Sequence, residues 1–460
     1  MIHPLLTLPT LATAAAPALN GADTAWMMIA TALVLVMTPG LAFFYGGLVR
    51  SKNALNTKMM SFAAMGFIGV LWALIGFSLA FSGDGKWIGN FAYLGLRHVG
   101  LAPHDPAHTI PFLLFMAYQA TFAIITPALI SGAIVERMRF RTYLLFIALW
   151  SLLVYAPVAH WIWGGGWLSA GHGDVGVMDF AGGAVVHITA GVAALVAASL
   201  RGPRKDYSRQ ALLPHNVPFV LLGTGLLWLG WFGFNAGSAL AANPQAVLAF
   251  VNSLLAPCAA LVVWSLLDMF RGGRITAVGS ATAIVVGLAT ITPAAGFVAP
   301  SSALIIGAIA AFPSYYAILY RAKTRLDDSL DVFSAHGLGG ITGMLLVGVF
   351  CRASIGGVPI PGSTDGALMG HPDQLGRQAL AVLVVGLYSG VATFVILKLV
   401  GLVMPLRATG RQEDRGLDIG LHGEEAYTTG EGALLLMEHE RPVTTSANPA
   451  GPKPRNLVEA

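Results

Sequence analysis

The 460-residue sequence predicts an all-α membrane protein with eleven transmembrane helices. Composition, the spacing of apolar runs and the sidedness of charge predict it. Hydrophobic residues make up 56% of the chain and charged residues 10%, and mean hydropathy is +0.71. That composition cannot furnish a water-compatible surface, which excludes a soluble enzyme or binding module. Apolar runs of about 20 residues, the length that crosses hydrocarbon, fall at 26–47, 59–82, 111–135, 142–162, 178–200, 217–238, 247–269, 277–297, 301–320, 332–350 and 379–404. Loops after the odd-numbered spans, up to the ninth, hold fifteen Lys and Arg residues between Arg50 and Arg325. The alternate loops hold four: Lys86, Arg97, Arg352 and Arg377. The positive-inside rule therefore predicts an N-out, C-in chain, which agrees with an odd number of spans. The net charge of +4 reflects this topology and gives no argument for nucleic-acid binding.

Residues 1–23 precede the first span. They are apolar and small, and Ala14 and Ala16 resemble a cleavage site, but no Lys or Arg forms an n-region. A cleaved signal peptide and a retained segment both fit. Spans one to five and six to ten form two halves; each has an odd number of helices, so the second half is inverted relative to the first. The eleventh helix stands outside this repeat. The two cysteines, Cys258 and Cys351, lie in apolar segments and read as free buried thiols rather than as a disulfide or metal site. Many of the 55 glycines fall inside spans, where small residues let helices approach closely.

Two histidines stand deep in the last span of each half, each after an aspartate: Asp179 with His187, and Asp331 with His336. An unpaired polar ring in hydrocarbon is costly, so such residues are candidates for function. His187 lies eight residues beyond Asp179, about 12 Å deeper, and His336 five beyond Asp331, about 7.5 Å deeper from the opposite face. The imidazoles can therefore meet near the midplane on a pseudo-twofold axis, where inverted-repeat transporters place their sites. Both aspartates also suit helix N-caps. Neither pair need share a helix face, since the spacings rotate them by roughly 80° and 140°.

A second cluster lies toward the outer ends of spans four and six, in His160 to Trp163 and Trp231 to Ser238. An interfacial aromatic belt accounts for Trp26, Trp87 and Trp161. Phe122 lies about 16 Å along span three, too deep for a headgroup anchor. Aromatic faces plus one hydroxyl suit a small cation, each cation–π contact being worth about 0.5–2 kcal/mol.

These runs resemble the ammonium transporter family. The resemblance is carried by Asp179, Phe180, Ala181, Gly182, Gly183, Ala184, Val185, Val186, His187; by Phe44, Tyr45, Gly46, Gly47, Leu48; by Trp231 to Ser238; and by Asp331, Val332, Phe333, Ser334, Ala335, His336. It covers roughly residues 24–427, and it implies an eleven-span, N-out homotrimer in a bacterial cell (inner) membrane. By motif, His187 and His336 resemble twin pore histidines. Trp163, Phe122 and Ser238 resemble an outer ammonium site, and Phe122 with Phe234 a stacked gate beneath it. Asp179 resembles the acidic residue of substrate recruitment, with a structural share, while Asp331 reads as structural, a cap. The implied activity is electrogenic ammonium transport: capture, deprotonation, passage of ammonia along the histidines and separate transfer of the proton. No cofactor or metal is implied.

The resemblance divides the chain into a transmembrane domain at 24–405, a regulatory tail at 406–427 that packs on the cytoplasmic face, and an extension at 428–460 expected to be disordered. It also implies a PII-type signalling protein as a candidate partner there. Two rival readings are weaker. A membrane metalloenzyme lacks an HExxH pair or second ligand cluster, and a sensor is expected to carry an appended signalling domain, which this sequence does not display.

Overall fold

The computed structural model describes residues 18–104, 109–171, 173–209, 212–352, 354–357 and 364–427. Most of the expected leader, residues 1–17, and the whole 428–460 extension lie outside them. Eleven apolar helices dominate the described residues, which contain no β-strand: α1 Gly21–Leu48, α2 Ser51–Phe81, α3 Phe112–Ala133, α4 Phe140–Ile162, α5 Gly183–Arg201, α6 Val217–Ala239, α7 Pro244–Gly272, α8 Ala277–Ala294, α9 Pro300–Arg321, α10 Phe333–Phe350 and α11 Pro372–Val403. Because the number is odd, α1 begins on one face, here the amino face, and α11 ends on the opposite, tail face.

Helix ends depart from the hydropathy limits where capping decides them. Helix α1 starts five residues early because the Asn20 side chain accepts from the backbone of Ala22 and Asp23. Helix α5 starts five residues late: Gly182 holds φ +117, a left-handed value open to glycine, and only beyond it does the chain coil. Both α5 and α10 open with a wide π-helical turn, Gly183–Ile188 and Phe333–Gly337, and each turn carries one of the two histidines.

The two halves meet where α5 crosses α10, and the contact is reciprocal. A Cβ on Gly191 would lie 2.3 Å from the backbone N and Cα of Gly337, and one on Gly340 would lie 2.7 Å from the Gly183 carbonyl and 2.9 Å from the His187 Cβ. Each of these glycines stands four residues after the histidine of its own helix. Glycine there lets each backbone rest on the other's histidine turn.

The tail face is held by ion pairs. Glu136, fully buried, meets Arg50 at 3.0 Å and Arg204 at 3.1 Å, and Asp327 meets Arg204 at 2.9 Å. Burial pushes the Glu136 carboxyl up, but Arg204 and Arg50 outweigh it and hold the group below the ordinary carboxylate value. Onto this face folds the tail: helix α12, Gly410–Arg415, is followed by a turn in which the Asp418 carboxylate accepts from the backbone N–H groups of Leu55 and Asn56 at 3.0 and 2.7 Å. Lys52 Nζ reaches the carbonyls of Glu413 and Asp414.

The crossing gives a direct expectation. Gly191→Ala lowers thermal stability by about 1–3 kcal/mol or prevents folding, whereas Gly225→Ala, whose added Cβ meets nothing within 4 Å, is neutral. Melting of the detergent-solubilised variants measures both.

Candidate functional site

Three cavities lie in series between the faces. The amino-face vestibule, about 530 Å³, is lined by Phe122, Trp163, Ser238 and Asp179 among others. A lumen of about 10 Å³, with room for roughly one water-sized molecule, follows between Phe234, Trp231, His187 and His336. The tail-face vestibule, about 290 Å³, opens beyond His336 toward Tyr45, Arg204, Arg321 and Asp331.

The vestibule floor is aromatic. Phe122 stacks on Phe234 with ring centroids 4.2 Å apart and meets Trp163 edge-on at 5.9 Å. Tyr118 braces this pair: its ring lies 5.0 Å from that of Phe122, and its hydroxyl donates toward the carbonyls of Gly233 and Phe234 at 3.0 and 2.8 Å. Ser238 Oγ also donates to the Phe234 carbonyl, at 2.9 Å, and lies 3.3 Å from the Tyr118 hydroxyl, which leaves it a lone pair to accept from a donor in the cavity. The Trp163 indole N–H is fixed on the Asp179 carbonyl at 2.9 Å.

Asp179 faces inward to its own helix. Oδ1 accepts from the backbone of Gly182 and Gly183, and Oδ2 from Ala184 and Val185, at 2.6 to 3.2 Å. It therefore satisfies the N–H groups that open α5 and fixes the turn carrying His187. The cap expected at Asp331 belongs instead to Asp328, whose carboxylate accepts from Val332 at 3.1 Å and Phe333 at 2.7 Å. Asp331 holds a left-handed φ of +58 and turns its carboxylate onto Arg321. The counterpart of Asp179 is thus Asp328, and both stand eight residues before their histidine.

The two imidazoles meet. His187 Nδ1 and His336 Nδ1 are 3.3 Å apart, with ring planes inclined by 22° and centroids 5.2 Å apart. At that separation one Nδ1 donates and the other accepts, so the neutral rings take opposite tautomers. His187 Nε2 has no hydrogen-bond partner among the described residues, and Trp231 stacks on the His187 ring at 5.6 Å with its own N–H held by Thr292 Oγ1. An N–H donor or acceptor entering the lumen would find that free nitrogen.

Of the residues named from the sequence, Phe122, Trp163, Ser238 and Asp179 line the amino-face vestibule, and Phe234, His187 and His336 line the lumen. Sequence reasoning singles out Trp231 only as part of the outer aromatic cluster, without its stacking on His187, and it overlooks Tyr118 and Asp328. Tyr118 carries no signal beyond that of a membrane-span aromatic, whereas the repeated eight-residue spacing would have identified Asp328.

A family model described as the Ammonium Transporter Family matches residues 25–427. The chain belongs to the ammonium transporter family. Similar proteins include the ammonium transporter of Bacillus subtilis (strain 168), 44% identical over 88% of this chain and 98% of that protein, and that of Aquifex aeolicus (strain VF5), 47% identical over 89% and 94%. Among solved structures, Saccharomyces cerevisiae Mep2 superposes with a TM-score of 0.79 at 35% identity, covering 86% of this chain and 90% of that one. A protein titled Sensor Amt Protein matches with a TM-score of 0.79 at 30% identity, over 87% and 98%. As a member, the protein is a multi-pass ammonium transporter and not an enzyme.

Burial, reinforced by Asp331, pushes the Asp328 carboxyl from its ordinary 3.8 up to about 6. The folded state thus holds this proton more tightly than the unfolded chain does. The stabilisation it confers is complete below about 3.8 and lost as pH rises through about 6. Melting temperature plotted against pH should flatten over that interval in Asp328→Asn relative to the parent.

Proposed function

We propose that this transporter captures ammonium in the amino-face vestibule, deprotonates it there, and conducts ammonia through the lumen while the proton crosses separately. The observation that carries the reading is the Nδ1 to Nδ1 contact of His187 and His336 inside a lumen that holds about one small molecule. In this reading the Phe122 and Trp163 faces and the Ser238 oxygen hold the cation, and Asp179 aids recruitment through the charge and shape it gives the start of α5. Crossing the lumen as an ion would carry a desolvation cost of tens of kcal/mol, and deprotonation removes most of it. Ammonia then passes Phe122 and Phe234, which part on a side-chain timescale, and hydrogen-bonds to the free His187 nitrogen.

The imidazole pair serves as the separate proton lane. A ring that accepts on one nitrogen and releases from the other passes charge without carrying a solvated ion, so transport is electrogenic. Potassium has no proton to shed and stays in the vestibule. The basic tail face lies in the cytoplasm and the amino face outside, in the cell (inner) membrane of a bacterium. The assembly is a homotrimer, the metabolic context is nitrogen supply, and a PII-type protein docks against the tail face. A sensing role has one supporting observation, the likeness to the solved Sensor Amt Protein; a purified protein that binds ammonium without passing current would favour it.

Currents from proteoliposomes on solid-supported membranes test the transport reading. Ammonium evokes an inward current that potassium does not, and His187→Ala or His336→Ala reduces it severalfold or admits potassium. Parent-like current and selectivity in both variants would exclude the histidine lane.

A further inference from the structure

Gln119 stands on α3 three residues before Phe122 and lines the amino-face vestibule. Its side chain is buried, with 8% of the residue exposed, and it makes no hydrogen bond among the described residues. Oε1 is buried without a donor. Leaving a buried acceptor unmet is unfavourable, because its hydration is lost with nothing to replace it. The polar groups around it are engaged: the Ser238 hydroxyl donates to Phe234, the Trp163 N–H to Asp179, and both Asp179 oxygens accept from the start of α5. Gln119 is a polar group of this cavity that its surroundings leave unanswered.

A carboxamide has two unlike ends, and half a turn about its last torsion exchanges the oxygen with the NH₂ group. No partner fixes Gln119 in either orientation. Ammonium presents four N–H donors in a tetrahedron, whereas aromatic faces attract its charge without directing those donors. Ser238 Oγ accepts one of them. We propose that Gln119 is the second directional acceptor for ammonium in the vestibule, its amide turning to present Oε1 to the cation. This rests on the reading of the vestibule as the capture site. A hydrogen bond to a charged group contributes about 1.5–3 kcal/mol, which is about tenfold or more in affinity.

The test uses the purified full-length protein in proteoliposomes, with current measured against ammonium concentration for the parent, Gln119→Met, Gln119→Glu and Ser238→Ala. Methionine keeps the length and flexibility of glutamine but supplies no comparable acceptor; glutamate keeps an oxygen. The half-saturating concentration should rise about tenfold in Gln119→Met with maximal current close to the parent's. Gln119→Glu should return it to the parent value or below. If Ser238→Ala raises half-saturation and Gln119→Met does not, Gln119 has no such role and the capture site stands. If neither variant changes it, the capture-site reading falls. Loss of current in both Gln119 variants, with rescue absent in Gln119→Glu, would assign the residue to packing and overturn the proposal.

Discussion

Two imidazole nitrogens 3.3 Å apart leave no gap between them for a bridging water, so one ring has to donate and the other accept. That requirement governs the surrounding architecture. The rings come from α5 and α10, and they meet only because those helices cross at backbone contact, through Gly191 and Gly340. Each ring rides on a π-helical turn whose start is fixed by a carboxylate eight residues earlier, Asp179 in one half and Asp328 in the other. Trp231 covers the face of the His187 ring and is itself held by Thr292. These contacts hold the two ring nitrogens in register with one another.

The cavities on either side differ in kind, and the difference follows from the side chains. Toward the amino face the walls are aromatic with a hydroxyl, suited to attracting a small cation weakly. Toward the tail face the wall carries Arg204, Arg321 and Asp331, whose charges are paired with one another or with neighbours. The same Arg204 joins Glu136 and Asp327. Breaking such a buried network leaves charges stranded, at about 3–5 kcal/mol, so the tail-face loops form a rigid base. The tail lies directly upon it through Asp418 and Lys52.

Much of this was legible in the chain because lipid imposes simple rules. Spans of about 20 apolar residues and an odd span number follow from thickness and charge alone, and each of the eleven predicted spans has its helix. That His187 and His336 can meet follows from depth counted at 1.5 Å per residue and from the inversion of the halves; the 3.3 Å contact itself is visible only in the structure. Helix ends were less legible, because Asn20 and the left-handed Gly182 act through backbone hydrogen bonds that hydropathy does not register. In the sequence Asp331 reads as the cap because it is the aspartate nearest the apolar run. Asp328 has the geometry, and the left-handed φ at Asp331 is what frees its carboxylate for Arg321. The brace from Tyr118 depends on a contact between α3 and α6, and contacts of that kind leave no periodic trace.

Nitrogen-15 NMR of histidine-labelled protein reads directly whether one proton is shared between the two ring nitrogens. A shared proton gives one protonated and one unprotonated Nδ1 in this pair, with a scalar coupling between them across the hydrogen bond. Two unprotonated Nδ1 atoms with no coupling would rule the shared proton out.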